Sequence, residues 1–309
     1  MFRSSRERLI GSSTTKNTFC PVWVISATAC SIPEMAKLRI EDDFEDVLAK
    51  AMAGQGWTAA ALADKSGIER SQLESLLAGQ LDAEALRAVA PVLQLSAERV
   101  LSMAEQAWYP AASLPDGVRL FNTPFPVPGY QAMTVNSYLF WSGDQAMAVD
   151  TGASAEALLA EVKQRGLTLS GLLITHSHRD HIAALDAVRA AHPQMPIYCP
   201  AGEALPGTVL LSEGAQLHCG AWQIEARETS GHSPGALSYV VSGGGGALAF
   251  VGDAIFCLSI GKAPSAYVQA LEHNRKKLLS LPAETLLCPG HGPVTTVGDE
   301  LQRNPFFAD

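Results

Sequence analysis

The heptapeptide Thr175-His176-Ser177-His178-Arg179-Asp180-His181 holds three of the chain's eight histidines beside an aspartate. A solvated face has no reason to select imidazole. A buried core would have to supply each ring with a hydrogen-bond partner. A metal centre accounts for the crowding, because neutral imidazole and carboxylate both ligate divalent ions. The fold must therefore carry this segment to a point where further ligands converge. The preceding run, Gly171-Leu172-Leu173-Ile174-Thr175, is apolar and predicts a strand that ends at His176. His176 and His178 then share one face of an extended stretch. Asp180 and His181, set back by the start of a helix, turn toward a second position. One loop can thus feed two adjacent ions.

The rest of the chain offers matching partners. His232 sits in SGHSPG, Asp253 ends the apolar run ALAFVGD, and His291 sits in CPGHGP after TLLCPG. Each falls at a predicted strand-to-loop junction, as a shared rim requires. Together they make five imidazoles and two carboxylates, a donor set suited to zinc, iron or manganese without any thiolate. His192, His218 and His273 lie outside any ligand spacing and read as surface or core residues.

The surroundings read as an α/β domain. TVNSYLFW, QAMAVDTG, PIYCP and ALSYVVS join the runs above as short apolar strands. SAEALLAEVKQRG, IAALDAVRAA and AYVQALEHNRKKLLSL alternate with them as helices. SYVVSGGGGALAFVGD reads as a hairpin turning on its glycine run, which lacks the Lys-Ser/Thr of a phosphate loop.

The N-terminal third differs. Residues 1–40 are polar and basic, net +4, and are expected to be a disordered extension. Initiation at Met35 and a weak export leader are the alternatives. From Phe44 the pattern becomes helical, with five short helices and N-caps at Thr58, Asp82 and Ser96. WTAAALADKSGIERSQLESLLAG resembles a helix-turn-helix of the phage-repressor type, its recognition helix starting near Glu69. DNA binders neutralise phosphates with Lys and Arg. Residues 41–105 are net −7, and the recognition helix offers only Arg70, flanked by Glu69 and Glu74. Nucleic acid is therefore not the expected partner; a bundle for homodimerisation or substrate shaping is. The expected division is 1–40, a helical domain at 41–106, and an α/β domain at 107–309.

The chain's net charge is −9, which also argues against a general nucleic-acid binder. No apolar run approaches the roughly 20 residues of a spanning helix, so no membrane is expected. The six cysteines are scattered without a CxxC pair and do not read as a disulfide framework. A cytoplasmic location follows as the expectation. Cys288 reads as a small buried thiol, and Cys257, after the Asp253 loop, as the cysteine to examine for redox sensitivity.

HxHxDH followed by GHSPG, VGD and PGHG resembles the metallo-β-lactamase superfamily over residues of about 115 to 309. The resemblance implies an αββα sandwich, here preceded by a small all-α, helix-turn-helix-like bundle. It implies His176, His178 and His232 on one ion, Asp180, His181 and His291 on a second, and Asp253 bridging, with Asp253 and Asp180 as the catalytic carboxylates. VDTG at 149–152 also fits, and gives Asp150 the role of a buried support. The chemistry so implied is a metal-bridged hydroxide attacking a carbonyl. Within the superfamily the chain is similar to the glyoxalase II-like group, which hydrolyses acyl-glutathione thioesters. SIGK at 259–262 resembles the segment whose lysine contacts the glutathione carboxylate, which makes Lys262 the substrate anchor. The chain departs from that group in carrying Ser177 and Arg179 inside the motif. It also has only eighteen residues after His291, where the group has a helical domain that grips glutathione. The expected protein is a dinuclear hydrolase of a small-molecule thioester or ester. The alternatives are a mononuclear iron persulfide dioxygenase using His176, His232 and Asp253, a lactonase, and a metabolite-sensing DNA-binding regulator.

Overall fold

Strand residues along the C-terminal two thirds alternate between two different apolar environments, and that alternation sets the layers. A computed structural model describes residues 37–243 and 246–308. The readings of the basic N-terminal stretch, as extension, leader or upstream start before Met35, lie outside the described residues. The first sheet runs in chain order: β1 (Val118–Pro124), β2 (Thr134–Ser142), β3 (Gln145–Val149), β4 (Thr168–Leu173), β5 (Ile197–Pro200) and β6 (Val209–Leu211). Its first three strands are antiparallel and the rest parallel.

The second sheet contains β7 (Gln216–Cys219), β8 (Trp222–Glu228), β9 (Leu237–Gly243), β10 (Gly246–Gly252), β13 (Leu286–Pro289) and β14 (Thr295–Thr296). Their spatial order is β14-β13-β10-β9-β8-β7. A small hairpin, β11 (Ile255–Phe256) and β12 (Ser259–Ile260), stands after Asp253.

Period-two patterning places the core. Tyr138, Phe140, Met147 and Val149 of the first sheet face Trp222, Ile224, Tyr239, Val241, Leu248 and Phe250 of the second. Phe250 packs its ring 5.2 Å from Tyr138 and 5.3 Å from Phe140. The intervening residues Leu139, Ala146, Ala148 and Leu172 point outward, against Leu158 and Val162 of α6 (Glu156–Arg165) and Leu185 and Val188 of α8 (Leu185–Ala191). The short α7 (Arg179–Ile182) follows the histidine segment. On the other outer face, Val240, Ala249, Val251 and Leu287 are covered by helices. The result is the expected αββα sandwich.

The covering helices include the N-terminal set: α1 (Phe44–Gly54), α2 (Ala59–Ser66), α3 (Arg70–Leu77), α4 (Ala83–Val92) and α5 (Ala97–Ala104). Thr58 Oγ1 accepts from the Ala61 amide at 3.2 Å, Asp82 Oδ1 from Glu84 and Ala85 at 3.0 and 3.1 Å, and Ser96 Oγ from Arg99 at 3.4 Å. These satisfy amides that the helix start leaves free. Gly67, at φ 72°, closes α2 in the left-handed region, where a side chain would be strained. Arg70, the first residue of α3, is paired with Glu74 at 2.8 Å.

These helices share one apolar cluster with the second sheet, α9 (Tyr267–His273) and the chain end after α10 (Val297–Arg303). Polar bonds join them too: Ser96 N donates to Pro305 O at 3.1 Å and Arg99 to Asn304 O at 2.9 Å. Lys37–Asp309 forms one compact unit. No helix among the described residues is long and apolar enough to cross a membrane.

Two helices differ from the sequence reading. IAALDAVRAA is divided, α7 ending at Ile182 and α8 starting at Leu185. The helix predicted over 266–281 widens into a π-helical turn at Asn274–Leu278, where buried Asn274 donates to Ala254 O at 2.7 Å. Leu48 is fully buried in the shared cluster. Leu48→Ala is expected to cost about 2–5 kcal/mol. Urea unfolding followed by circular dichroism should show one transition shifted as a whole. Early loss of helix signal alone would contradict the shared core.

Candidate metal centre

All seven ligand-type residues singled out in the sequence arrive at one end of the sandwich. His176 and His178 follow β4, Asp180 and His181 lie on α7, His232 follows β8, Asp253 follows β10, and His291 follows β13. Hydrogen bonds between the two sheets hold that end together. Tyr239 Oη donates to Ile174 O at 2.7 Å, the Leu237 amide to Thr175 O at 2.9 Å, and Tyr138 Oη to Pro289 O at 2.7 Å.

Three groups of donor atoms form, each with its atoms within 4.8 Å of one another: His176, His178 and His232; Asp180, His181 and His291; and His176, His181 and Asp253. The third group draws one histidine from each of the others, which places Asp253 between them. Its Oδ2 lies 3.3 Å from His232 Nε2 and 3.4 Å from His291 Nε2, and its Oδ1 lies 3.2 Å from His181 Nε2.

The ring nitrogens are sorted by their far side. His181 Nδ1 lies 2.7 Å from Asp150 Oδ2, His291 Nδ1 2.6 Å from Thr134 O, His232 Nδ1 3.0 Å from Lys262 O, and His176 Nδ1 3.1 Å from Thr175 Oγ1. Each contact orients its ring and turns Nε2 to the centre, as the outer partners of metal-ligating histidines do. His178 is exposed and presents Nδ1, 2.9 Å from His232 Nε2.

The residues fit a cation. His176 Nε2, His181 Nε2 and Asp253 Oδ1 are buried without a hydrogen-bond partner. Each such atom costs about 1–3 kcal/mol if left so, and all three belong to the group that converges on one point. Space is kept for them: a Cβ on Gly290 would lie 2.3 Å from Asp253 Oδ1 and 2.5 Å from His181 Cε1.

Electrostatics follow from burial and pairing. Burial works to raise the Asp253 carboxyl, but His291 and His181 outweigh it and hold the group well below the usual carboxylate range. Burial works to lower His181, but Asp253 and Asp150 hold it up at about 10. Burial, with His181 alongside, pushes His176 well below the ordinary imidazole value.

Lys262 is exposed, and it is the residue's carbonyl that touches the centre, through His232. Cys257 and Cys288 are buried, and burial pushes both thiols up, which removes the ground for reading Cys257 as redox-sensitive.

Some neighbours carried no sequence signal. Glu203 hydrogen-bonds to two segments that carry candidate ligands, at Ser177 and at Gly235. The N-terminal segment 39–42 closes on the other side. A Cβ on Gly292 would meet Glu41 N at 3.2 Å and Arg39 O at 3.4 Å. Glu41 is pushed up to about 7, by burial first and by Asp42 and Asp253, with His291 opposing. Lys50 of α1 pairs with Asp42, donates to Ile260 O at 2.8 Å, and lies 4.9 Å over the ring of Phe256, which abuts His291. The Lys50–Ile260 bond joins residues 210 positions apart, which no local spacing announces.

A histidine must shed its proton to become a ligand, so metal binding is coupled to proton release. With its folded value held above the ordinary 6.5, His181 carries a proton at neutral pH until metal displaces it. Zinc titrated calorimetrically in buffers of different ionisation enthalpy should show net proton release near pH 7. The apparent affinity should fall as pH falls. Heats independent of the buffer would contradict this electrostatic account.

Comparison with known proteins agrees with the geometry. The metallo-beta-lactamase superfamily profile matches residues 131–291. A probable metallo-hydrolase of Bacillus subtilis, YqgX, is 34% identical over 206 residues, which cover 59% of this chain and 95% of that protein. A hydroxyacylglutathione hydrolase of Hahella chejuensis is 32% identical over 167 residues, 54% of this chain and 64% of that protein, so the chain spans less than two thirds of its length. Among solved structures, the BLEG-1 B3 metallo-beta-lactamase aligns with a TM-score of 0.54 at 32% identity, over 62% of this chain and all of that one. With its sandwich, its ligand sets and these likenesses, the chain belongs to the metallo-beta-lactamase superfamily.

Proposed function

We propose that the protein is a dinuclear metal-dependent hydrolase that cleaves a small-molecule thioester, in the manner of glyoxalase II. The observation that carries the reading is the pair of ligand sets joined by Asp253. His176, His178 and His232 would hold one ion and Asp180, His181 and His291 the other, with Asp253 shared. Two bound ions supply a hydrolytic nucleophile at neutral pH and polarise the carbonyl under attack.

The protein's own contribution is orientation. The far-side contacts of His176, His181, His232 and His291 fix where their Nε2 atoms point, so these donors need no rearrangement when substrate arrives. Asp180 Oδ2, 3.2 Å from His291 Nε2, shares the second set with Asp253 and balances its charge. As ligands, the seven converging side chains would not themselves serve as proton donors. A thiolate can depart near its own pKa of about 8.5 without such a donor, whereas an alkoxide cannot. This favours a thioester over an ester or lactone. The names of the relatives, metallo-hydrolase and hydroxyacylglutathione hydrolase, support the same class. Lys262, exposed beside the His232 loop, is the anchor for a substrate carboxylate.

Metal content per chain, measured by plasma mass spectrometry on protein prepared without chelator, tests the centre. Two ions are expected, zinc, iron and manganese being the candidates; a single iron would replace this reading with the persulfide dioxygenase. Asp253→Ala should lose bound metal and lower turnover of a glutathione thioester by at least about 10³-fold. Full activity with full metal content in that variant would refute the site. Lys262→Ala should raise KM for a glutathione thioester and spare an uncharged thioester. Equal effects on both substrates would remove Lys262 from recognition.

A further inference from the structure

We infer that Glu203 is a positioning residue for the first ion: one carboxylate that locks together the two loops carrying His176, His178 and His232. The inference rests on the dinuclear reading above and assigns to one side of the centre a support of its own.

Glu203 lies in a single helical turn, Ala201–Glu203, that follows β5, and it is 8% exposed. Its Oε2 accepts from the Ser177 amide at 3.1 Å and from Ser177 Oγ. Its Oε1 accepts from the Gly235 amide at 3.1 Å and from Ser233 Oγ. Ser177 stands between His176 and His178, and Ser233 follows His232. The four bonds therefore divide evenly, two to Ser177, which His176 and His178 flank, and two to the Ser233–Gly235 segment after His232; none is made to Asp180, His181 or His291 or to a residue next to them in the chain. Burial works to raise this carboxyl, but the hydrogen bonds from Ser177 and Ser233 prevail and keep it ionised.

Backbone packing shows that the approach is built for this contact. A Cβ on Gly202 would lie 2.8 Å from Gly235 Cα, and one on Gly235 would lie 2.6 Å from Gly202 Cα. The turn and the SPG loop touch backbone to backbone, which glycine at both positions permits. Cys199 Sγ, 3.0 Å from Glu203 O, ties the turn back to β5. Asp150 plays the corresponding part for His181. Asp150 also reaches His176, through Thr175, whereas every side-chain bond of Glu203 goes to residues that flank the first set.

A carboxylate is required because all four partners are donors. Glutamine of the same shape would aim an N–H2 at one loop's donors and break half the clamp. Outer-sphere partners of this kind are worth roughly 10- to 100-fold in metal affinity. The effect of Glu203→Gln should fall on one ion rather than on both.

The experiment is a chelator titration of the zinc-loaded full chain, with zinc per chain and thermal stability read at each step. Wild type should hold two zinc ions. Glu203→Gln should release one ion at roughly 10- to 100-fold lower chelator activity while the second follows the wild-type curve. Ser233→Ala, which removes one of the four bonds and leaves the carboxylate in place, should move the same ion in the same direction by less. It also provides the test if Glu203→Gln does not fold. Unchanged release of both ions would overturn the inference while leaving the dinuclear reading intact. Parallel loss of both ions with a lowered Tm would overturn it too, since that is the signature of a general structural role. A wild-type chain that binds fewer than two ions would overturn the dinuclear reading and this inference together.

Discussion

The arrangement depends first on the Asp150 carboxylate. Asp150 follows β3 at φ 53°, a left-handed conformation that costs a non-glycine residue about 1–3 kcal/mol. Three hydrogen bonds hold it there. The Thr175 amide donates to Oδ1 at 2.8 Å, the Thr175 hydroxyl to Oδ2 at 2.7 Å, and His181 Nδ1 lies 2.7 Å away. The next residue extends the junction: the Thr151 amide donates to His181 O at 2.8 Å. One strained residue thereby fixes the end of β4, the start of the histidine loop and the tilt of the His181 ring. Deeper in the sequence Asp253 does the joining, but it can do so only because His181 has already been aimed at it.

The second constraint is charge. Asp150, Asp180 and Asp253 lie buried near five imidazoles, where water cannot screen them. An isolated buried carboxylate would protonate rather than pay its desolvation. Here the carboxylates and histidines hold each other in charged or ligating forms, and the three of their buried atoms left without partners, His176 Nε2, His181 Nε2 and Asp253 Oδ1, belong to one convergence point. Neutralising that point is what a divalent cation does. The centre and the fold are for this reason one electrostatic problem, solved at the end of the sandwich where two sheets meet.

Much of this was legible in the sequence, because the motifs are local. HxHxDH is a loop after an apolar strand, and its spacing alone divides the ligands into two directions. SGHSPG, VGD and PGHG are equally short. The N-caps Thr58, Asp82 and Ser96 were legible for the same reason: a cap is a contact across three residues. What the sequence hid is longer in range or weaker in contrast. β8 leaves a weak trace in the sequence because Glu225 and Arg227 dilute its apolar pattern, although Trp222, Ile224 and Ala226 alternate inward. The packing of the N-terminal helices on the second sheet was invisible, since each helix looks amphipathic on its own account. Glu203 reads as one more surface glutamate until the fold sets it beside two serines from separate loops.

The shared apolar cluster has a consequence for what this sandwich is as an object. Val240, Ala249, Val251, Ile255, Ile260 and Leu287 make the outer side of the second sheet and its adjoining hairpin as greasy as the interior. A sheet with two apolar sides must be covered on both. The five short helices, tethered to the sheet they cover, supply much of that cover from within the chain.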